Sequence, residues 1–339
     1  MALNLSFDLL DLQTRHPFTI ARGSTTAYRT VRVRLSDADG LEGWGEAAPS
    51  RYYGETAETV VAALARLAPA LPADASDLAG ADAALLRASP GDAAARAAIS
   101  AALHDLAGKR LGAPLWKLWG LDPARAPLSS FTIGLDTPER VRAKVREAAA
   151  YPLLKIKVGT PDDAAVLRAV REVTDKPLRV DANAGWTAEE AVARLPLLEE
   201  MRVELIEQPV APGDLDGLAA VHRASRIPIV ADEACRTAAD VPRLAGAVDG
   251  INIKLAKCGS LLEALRMVEA ARGHGLTVMV GCMIETSLGI TAAAHLTPLL
   301  DLADLDGAAL LERDPFTGAT IEAGRIALPT LPGLGVTAR

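Results

Sequence analysis

The chain has 339 residues, half of them hydrophobic, and a formal net charge of −7. Its length allows one large domain or two smaller ones, and its charge argues against binding to nucleic acid or an anionic membrane. We find no apolar stretch long enough to span a membrane and no signal peptide. The cysteines Cys235, Cys258 and Cys282 lack metal-site spacing and suit a reducing compartment, so we expect a cytoplasmic protein.

The first part of the chain, residues 1–125, is predicted to form an α+β unit. Alternating apolar residues and a turn at Asp39-Gly40 predict three strands, at 3–12, 29–36 and 41–46. Apolar residues at helical spacing predict three helices, at 55–68, 81–88 and 93–111.

From about residue 128 the pattern changes to alternating strands and helices. Eight strands are predicted, at 129–132, 153–157, 178–181, 205–207, 229–232, 250–254, 277–281 and, more weakly, 310–311. This alternation predicts a (β/α)7–8 barrel of the TIM type over residues 126–315. An open doubly wound sheet fits the same pattern, but no GxGxxG motif follows a strand. Residues 316–339 are expected to return to the first unit.

Five successive strand ends carry charged residues. They are Lys157, Asp181, Glu207, Asp232 and Lys254, separated by 24, 26, 25 and 22 residues, which is one strand–helix unit each time. Active sites of such barrels lie at the carboxyl ends of the strands. Three converging carboxylates would repel each other and would be costly to bury without a cation. Oxygen ligands alone indicate Mg²⁺ or Mn²⁺ rather than zinc.

The two lysines flank the three carboxylates and are predicted to face each other across the metal. A nearby cation and a second lysine lower the pKa of an amine, which can then act as a base. A single charge after a strand is commonly a surface charge or a helix cap. Five in succession, in the order Lys, Asp, Glu, Asp, Lys, predict one shared site.

These strand ends belong to motifs that resemble the enolase superfamily, in its muconate-lactonising subgroup. The motifs are Lys155-x-Lys157, Asp181-Ala182-Asn183, Glu207-Gln208-Pro209, Asp232-Glu233 and Asn252-Ile253-Lys254. The resemblance covers nearly the whole chain. It implies a capping domain over a barrel, and a metal that stabilises the enediolate formed when a proton leaves the carbon beside a carboxylate.

The resemblance also implies roles for individual residues. Asp181, Glu207 and Asp232 would hold Mg²⁺, and Lys155 would neutralise the substrate carboxylate. Lys157 and Lys254 would be acid and base on opposite faces of the substrate, as a 1,1-proton transfer requires.

A second lysine, Lys257, competes with Lys254 for the role on the second face. The strand-end position and the resemblance favour Lys254. Lys257 is expected to point elsewhere.

Two further segments resemble dipeptide epimerases, such as those that act on L-Ala-D/L-Glu. The segment 302–307 fits the end of the eighth strand, and its Asp304 and Asp306 match an Asp-x-Asp motif that would clamp the α-ammonium of a dipeptide. An acidic loop or a helix cap is the alternative. The segment 281–287 resembles the version whose backbone contacts the substrate amide. The substrate contacts implied there and at the first strand end are Cys282, Ile284 and Thr132. No histidine ends the seventh strand, which argues against a mandelate-racemase-type dehydratase, and His295 is expected to be structural.

Substrate specificity is expected to come from two loops of the first unit, 16–26 and 49–56. Arg22 is the candidate for binding an anionic substrate group. Relatives that act on Ala-Glu carry their arginine one position later, where this chain has Gly23. Tyr52 and Tyr53 would instead pack on an apolar or aromatic side chain, and simple loop packing is the alternative for all three side chains.

Other functions fit part of this pattern. An N-acylamino-acid racemase, an o-succinylbenzoate synthase or a muconate cycloisomerase would use the same lysines and metal, but their substrates bring no free ammonium. A barrel that binds a small molecule without turnover is the rival from another class. Related barrels often form homo-oligomers, but the sequence carries no interface signature.

Overall fold

The computed structural model describes residues 3–339, and its N-terminal part is an antiparallel sheet covered by helices. The sheet has the order β1-β2-β3, with bounds Asn4–Ile20, Gly23–Ser36 and Glu42–Ala47. The first hairpin is longer than predicted. Residues 16–26, expected as a loop, are its twisted tip, because pairing resumes at Phe18 after a register shift that follows Gln13.

Four helices follow the sheet. They are α1 (Ala57–Leu67), α2 (Leu78–Ala88), α3 (Ala93–Leu111) and α4 (Leu115–Leu118). Thr56 caps α1 through the backbone N–H of Thr59. The alanine-rich α3 suits a helix buried on most of its surface, and Gly112 ends it in the left-handed conformation at a φ of 67°.

Two glycines of β3 allow α3 to lie directly on the sheet. A Cβ at Gly43 would overlap the carbonyl oxygen of Ala102, and one at Gly45 would overlap that of Ala98. Because these obstacles are backbone atoms, they cannot rotate away.

We therefore expect Gly45→Ala to lower the free energy of unfolding by about 2–3 kcal/mol, as overpacking of a close contact does. Urea unfolding followed by circular dichroism measures this change. Gly91→Ala is the matched control, because a Cβ there meets nothing within 4 Å. Equal stability of the two variants would contradict the packing argument.

The rest of the chain forms the predicted barrel. Its parallel strands are neighbours in chain order, β4 (Phe131–Ile133), β5 (Leu154–Lys157), β6 (Leu178–Asp181), β7 (Val203–Glu207), β8 (Ile229–Ala231), β9 (Gly250–Ile253), β10 (Thr277–Gly281) and β11 (Leu302–Asp304). Ser129 bridges to Ala303, and Ser130 N donates to Ala303 O at 3.1 Å, which brings the last strand to the first. This order confirms the barrel and excludes the open sheet.

Helices surround the barrel strands. They are α5 (Pro138–Glu147), α6 (Asp163–Arg171), α7 (Ala188–Glu200), α8 (Leu215–Ala224), α9 (Val241–Leu244), α10 (Leu255–Cys258), α11 (Leu261–Gly273) and α12 (Ser287–Ala294). Their apolar faces and the buried strands form one continuous core. None of the helices in the described part of the chain is both long and apolar enough to cross a membrane.

The eighth strand lies where the Asp-x-Asp segment placed it, since β11 is Leu302–Asp304. The weaker expectation of a strand at 310–311 is wrong, because residues 307–310 form a 3₁₀ turn. Leu310 and Leu311 are apolar for another reason: they pack with Leu12 and Ile284 in a small separate cluster.

The end of the chain forms two short antiparallel strand pairs. β12 (Phe316–Thr317) pairs with β15 (Thr337–Ala338), and β13 (Thr320–Glu322) pairs with β14 (Arg325–Ala327). Leu334 N donates to Asp105 of α3 at 2.7 Å. The division of the chain at residues 125 and 315 stays a prediction.

His295 follows α12 and lies fully buried between distant segments. Trp116 N donates to Nδ1 at 3.3 Å, and Nε2 lies 3.1 Å from Leu334 O, so the hydrogen bonds match a neutral ring protonated at Nε2. Burial lowers the pKa of His295 to about 4. The side chain thus connects α4, α12 and the C-terminal segment, which agrees with the structural role expected for it.

The depressed pKa of His295 predicts a loss of stability in acid. Below pH 6.5 this histidine is protonated in the unfolded chain, whereas in the folded chain it stays neutral until about pH 4. The free energy of unfolding therefore falls as the pH falls through this range. The contribution of one such histidine is on the order of 3 kcal/mol. The free energy of unfolding, measured with denaturant between these pH values, should change less steeply with pH for His295→Gln than for the parent. His274→Gln, at an exposed histidine, should keep the parent slope; a shared slope in all three proteins would contradict the prediction.

Candidate active site

Three carboxylates meet at the carboxyl ends of neighbouring strands. Asp181 ends β6, Glu207 ends β7 and Asp232 follows β8. Their exposed fractions are 0%, 0% and 1%, and one oxygen from each lies within 4.8 Å of the others. The residues predicted as metal ligands are therefore brought together, buried and close enough to share one ion.

The charges of this group suit a hard cation. Burial, and then the charge of Asp181, raises the pKa of Glu207 to about 7. Within residues 3–339, Glu207 Oε2 is buried and accepts no hydrogen bond, and it forms an ion pair with Lys155 Nζ at 2.7 Å. An oxygen-only donor set in which such a buried oxygen keeps its acceptor capacity fits Mg²⁺.

The backbone next to these carboxylates adopts an unusual conformation that positions them. Asn183 and Gln208 have φ values of 46° and 35°, in the left-handed region. Asn183 N donates to Asp181 at 2.8 Å, and the Gln208 side chain accepts from Asp232 N at 3.0 Å. Strained backbone of this kind concentrates at functional sites, and here it accompanies hydrogen bonds that hold the Asp181 carboxylate and the backbone of Asp232.

Two lysines project from opposite walls of the barrel. Lys157 ends β5 and Lys254 follows β9, four strands apart in an eight-stranded order. Lys157 Nζ lies 2.7 Å from Asp181 Oδ2, and Lys254 Nζ lies 2.7 Å from Asp232 Oδ2. Despite the opposing effect of burial, Asp232 raises the pKa of Lys254. We expected a lowered pKa, but that expectation requires a cation to neutralise the carboxylates.

Lys155 connects the triad with the last barrel strand. Its ammonium lies 3.0 Å from Asp181, 2.7 Å from Glu207 and 2.8 Å from Asp304. Although burial opposes the charged form, these three carboxylates raise the pKa of Lys155. The side chain is therefore a fixed, buried positive charge.

The expectation that Lys257 points elsewhere is wrong. Its Nζ is buried and contacts Asp232 Oδ1 at 2.5 Å, on the oxygen not taken by Lys254. The carbonyl oxygens of Asp232, Cys235 and Asn252 also accept from it. These four acceptors surround an ammonium group that has three protons to donate, so all of its protons are engaged. Lys257 therefore holds the loop that carries Asp232 in place. The one-turn helix α10 folds it back, which strand spacing does not reveal.

Asp304 and Asp306 lie together on the wall across the barrel from β7. Asp304 ends β11; its Oδ1 accepts from Ser130 Oγ at 2.6 Å and its Oδ2 from Lys155. Asp306 Oδ2 accepts from Thr132 N at 2.5 Å. Burial, and then the charge of Asp304, raises the pKa of Asp306 to about 7. A positive group placed beside this pair would relieve their repulsion.

One cavity of about 810 Å³ opens above these groups. Twelve of the fourteen predicted site residues line it: Arg22, Tyr52, Tyr53, Thr132, Lys155, Lys157, Asp232, Lys254, Cys282, Ile284, Asp304 and Asp306. The other two, Asp181 and Glu207, lie beneath its floor, fully buried. The structure therefore collects every predicted residue at one place.

The hairpin tip and the 49–56 loop meet over this cavity. The Arg22 guanidinium lies 4.4 Å from the centre of the Tyr52 ring, and Tyr52 packs edge-on against Tyr53 at 5.1 Å. Arg22 also contacts the barrel, through Glu233 at 2.8 Å and the carbonyl oxygen of Asn183 at 2.5 Å. The sequence pattern does not reveal these two partners, although each stands within two residues of a predicted metal ligand.

Comparisons with known proteins agree with this geometry. Residues 7–120 match the mandelate racemase / muconate lactonizing enzyme N-terminal domain, and residues 139–339 match the enolase C-terminal domain-like family. The chain is 43% identical to the L-Ala-D/L-Glu epimerase of Bacteroides thetaiotaomicron, covering 98% of this chain and 88% of that protein. It is 39% identical to the L-Ala-D/L-amino acid epimerase of a Maribacter species, covering 99% of each.

A solved structure has the same architecture. The dipeptide epimerase of Enterococcus faecalis V583, complexed with Mg and the dipeptide L-Leu-L-Tyr, superposes with a TM-score of 0.94 at 35% identity, covering 99% of this chain and 100% of that one. With both family models matched and relatives of this similarity covering nearly its full length, the chain belongs to the mandelate racemase and muconate lactonizing enzyme family of the enolase superfamily.

Proposed function

We propose that this protein is a dipeptide epimerase, an isomerase that inverts the α-carbon beside the carboxylate of a dipeptide. The observation that carries the proposal is that two lines cross in one cavity: one runs from the carboxylate triad to the aspartate pair, and the other runs between the two lysines. The carboxylate triad is centred on β7 and the aspartate pair lies on β11, while the two lysines project from β5 and β9. A dipeptide lying from β7 to β11 has its α-carbon between the lysines.

Each end of the dipeptide would meet groups of suitable charge. Bound Mg²⁺, held by Asp181, Glu207 and Asp232, would supply positive charge for the substrate carboxylate and for the negative charge that develops when the α-proton leaves. Lys155 would add a fixed positive charge beside it. Asp304 and Asp306 would bind the α-ammonium.

The two lysines would move the proton. The neutral amine of one lysine takes the α-proton, and the electron pair of the broken C–H bond passes into the adjoining carboxylate group. The ammonium of the other lysine then delivers its proton to the opposite face and forms the new C–H bond. One lysine gains the proton that the other loses, and the configuration inverts.

The middle of the dipeptide would lie against the loop after β10. Cys282 and Ile284 line the cavity there, and Thr132 lines it beside Asp306. We propose that backbone groups of this loop contact the amide of the substrate. Tyr53 Oη is buried without a hydrogen-bond partner among residues 3–339 and could donate to a bound ligand.

The rival enzymes are less well supported. An N-acylamino-acid racemase, an o-succinylbenzoate synthase and a muconate cycloisomerase act on substrates without a free ammonium, which would leave the Asp304 and Asp306 pair with the Lys155 ammonium but without a second positive charge from the substrate. The relatives named as dipeptide epimerases also favour the proposal. A cytoplasmic location and a homo-oligomeric state stay predictions.

Proton exchange into dipeptides tests the proposed function. The protein is incubated with Mg²⁺ and a pooled library of L,L-dipeptides in D₂O, and products are analysed by mass spectrometry. A gain of one deuterium in particular dipeptides is expected. Exchange into N-acylamino acids but into no dipeptide would support the racemase instead, and no exchange into either would favour a binding barrel without turnover.

A further inference from the structure

The same two crossing lines determine where the side chain of the epimerised residue points, an inference that rests on the proposed function. When the α-proton leaves, the α-carbon becomes planar, with a lysine on each face. Of its three in-plane bonds, one points to the carboxylate at β7 and one to the amide that leads to β11. The third bond carries the side chain, which must therefore point out of the barrel towards Arg22 and Tyr52.

Arg22 is the natural candidate to bind an acidic side chain, but its guanidinium is already engaged. Nη2 lies 2.8 Å from Glu233 Oε1, and Nη1 donates to Asn183 O at 2.5 Å. One face of the group packs over the Tyr52 ring at 4.4 Å. The two terminal nitrogens and one face of the guanidinium are thus engaged before any substrate arrives.

The charges around Arg22 oppose a further anion. The Glu233 side chain is 4% exposed, so water screens it little. Its Oε2 atom is buried without a hydrogen-bond partner in the described part of the chain. A substrate carboxylate at Arg22 would share one positive charge with Glu233 and would lie near Asp232, the adjoining residue.

Part of the remaining surface beside Arg22 is apolar. Phe18 and Ile20 of the hairpin tip line the cavity on the same side as Arg22 and are half-buried. The exposed part of Tyr52 continues this surface. Such a wall suits an uncharged side chain.

We propose that Glu233 is a specificity-determining residue: by holding Arg22 it excludes acidic side chains, so the epimerised residue of the substrate is uncharged. Arg22 is then a bridge between the hairpin and the barrel, with its charge already neutralised.

Matched dipeptides test this proposal. L-Ala-L-Gln and L-Ala-L-Glu differ in charge but hardly in shape, so the ratio of their kcat/KM values isolates the charge. For the parent protein we expect L-Ala-L-Gln to be preferred by about tenfold, with L-Ala-L-Met also turned over. A preference for L-Ala-L-Glu would overturn the inference and leave the proposed function standing. No exchange into any dipeptide would instead overturn the proposed function.

Charge variants then locate the cause. Glu233→Gln frees Arg22 and should raise kcat/KM for L-Ala-L-Glu, relative to L-Ala-L-Gln, by about tenfold. Arg22→Met exposes Glu233 and should raise kcat/KM for L-Ala-L-Lys, relative to L-Ala-L-Gln, by about tenfold. Arg223→Gln, which removes an exposed arginine of α8 away from the cavity, should change neither ratio. Unchanged ratios in the Glu233 variant, or an Arg223 variant that shifts them equally, would overturn the role of Glu233.

Discussion

Alanine at Lys157 or at Lys254 is expected to lower kcat for epimerisation by about 10²- to 10⁴-fold, the range over which a positioned acid or base accelerates proton transfer. Each lysine projects from its own wall of the barrel, so neither can reach both faces of the α-carbon. Removing either one should therefore stop inversion. Circular dichroism of both variants should show an intact fold. Lys117→Ala, at an exposed lysine of α4, is the control and should keep full activity.

Exchange without inversion separates the two lysines. A variant that retains one base should still exchange the α-proton of the epimer whose proton faces that base, and should leave the other epimer untouched. The two alanine variants should then show opposite preferences between L,L- and L,D-dipeptides in D₂O. If both variants exchanged the same epimer, the assignment of one lysine to each face would be wrong.

Glu207→Gln is expected to abolish the stabilisation of the protein by Mg²⁺ while leaving the metal-free protein about as stable as the parent. Burial, and then the charge of Asp181, raises the pKa of Glu207 to about 7, so its carboxyl group is already partly protonated at neutral pH without the metal. Since Asp181 and Asp304 remain to pair with Lys155, the neutral isostere should cost little. The same change removes a ligand of the cation, so activity should fall by more than about 10²-fold.

Thermal unfolding with and without Mg²⁺ measures both effects. The parent should gain in Tm as Mg²⁺ is added, because a ligand that binds only the folded state stabilises it. Glu207→Gln should not gain. Glu204→Gln is the matched control, because it lies on the same strand with an exposed side chain. A variant that loses stability without the metal and keeps its response to Mg²⁺ would contradict the placement of the ion.

Much of the fold and of the site was predictable because it depends on features that recur at regular intervals along the sequence. The barrel strands are short apolar runs, buried on both sides, and the charged residues that end five successive strands fall at nearly the same point of each strand–helix unit. Such regularity predicts which side chains converge, since all parallel strands end at one rim. Lys157, Asp181 and Glu207 were placed correctly for this reason, and relatives that share the pattern confirm the family.

The features that were missed depend on irregular backbone and on contacts between distant segments. Lys257 reaches Asp232 because a single helical turn follows β9, and Arg22 reaches Glu233 across more than two hundred residues. Leu310 and Leu311 looked like a strand because the apolar cluster that they join has no sequence period. Local patterns do not specify such tertiary contacts, and only the folded geometry reveals them.

Closure of the barrel has a consequence for synthesis of the chain. Ser130 finds its partner in Ala303, 173 residues later, so the edge of β4 stays unpaired while most of the barrel leaves the ribosome. Unpaired edges attract other strands, and contacts this distant in sequence form slowly. We expect nascent chains that end before β11 to aggregate and to engage chaperones. Release from chaperones should therefore coincide with the arrival of Asp304, one of the two aspartates proposed to bind the substrate.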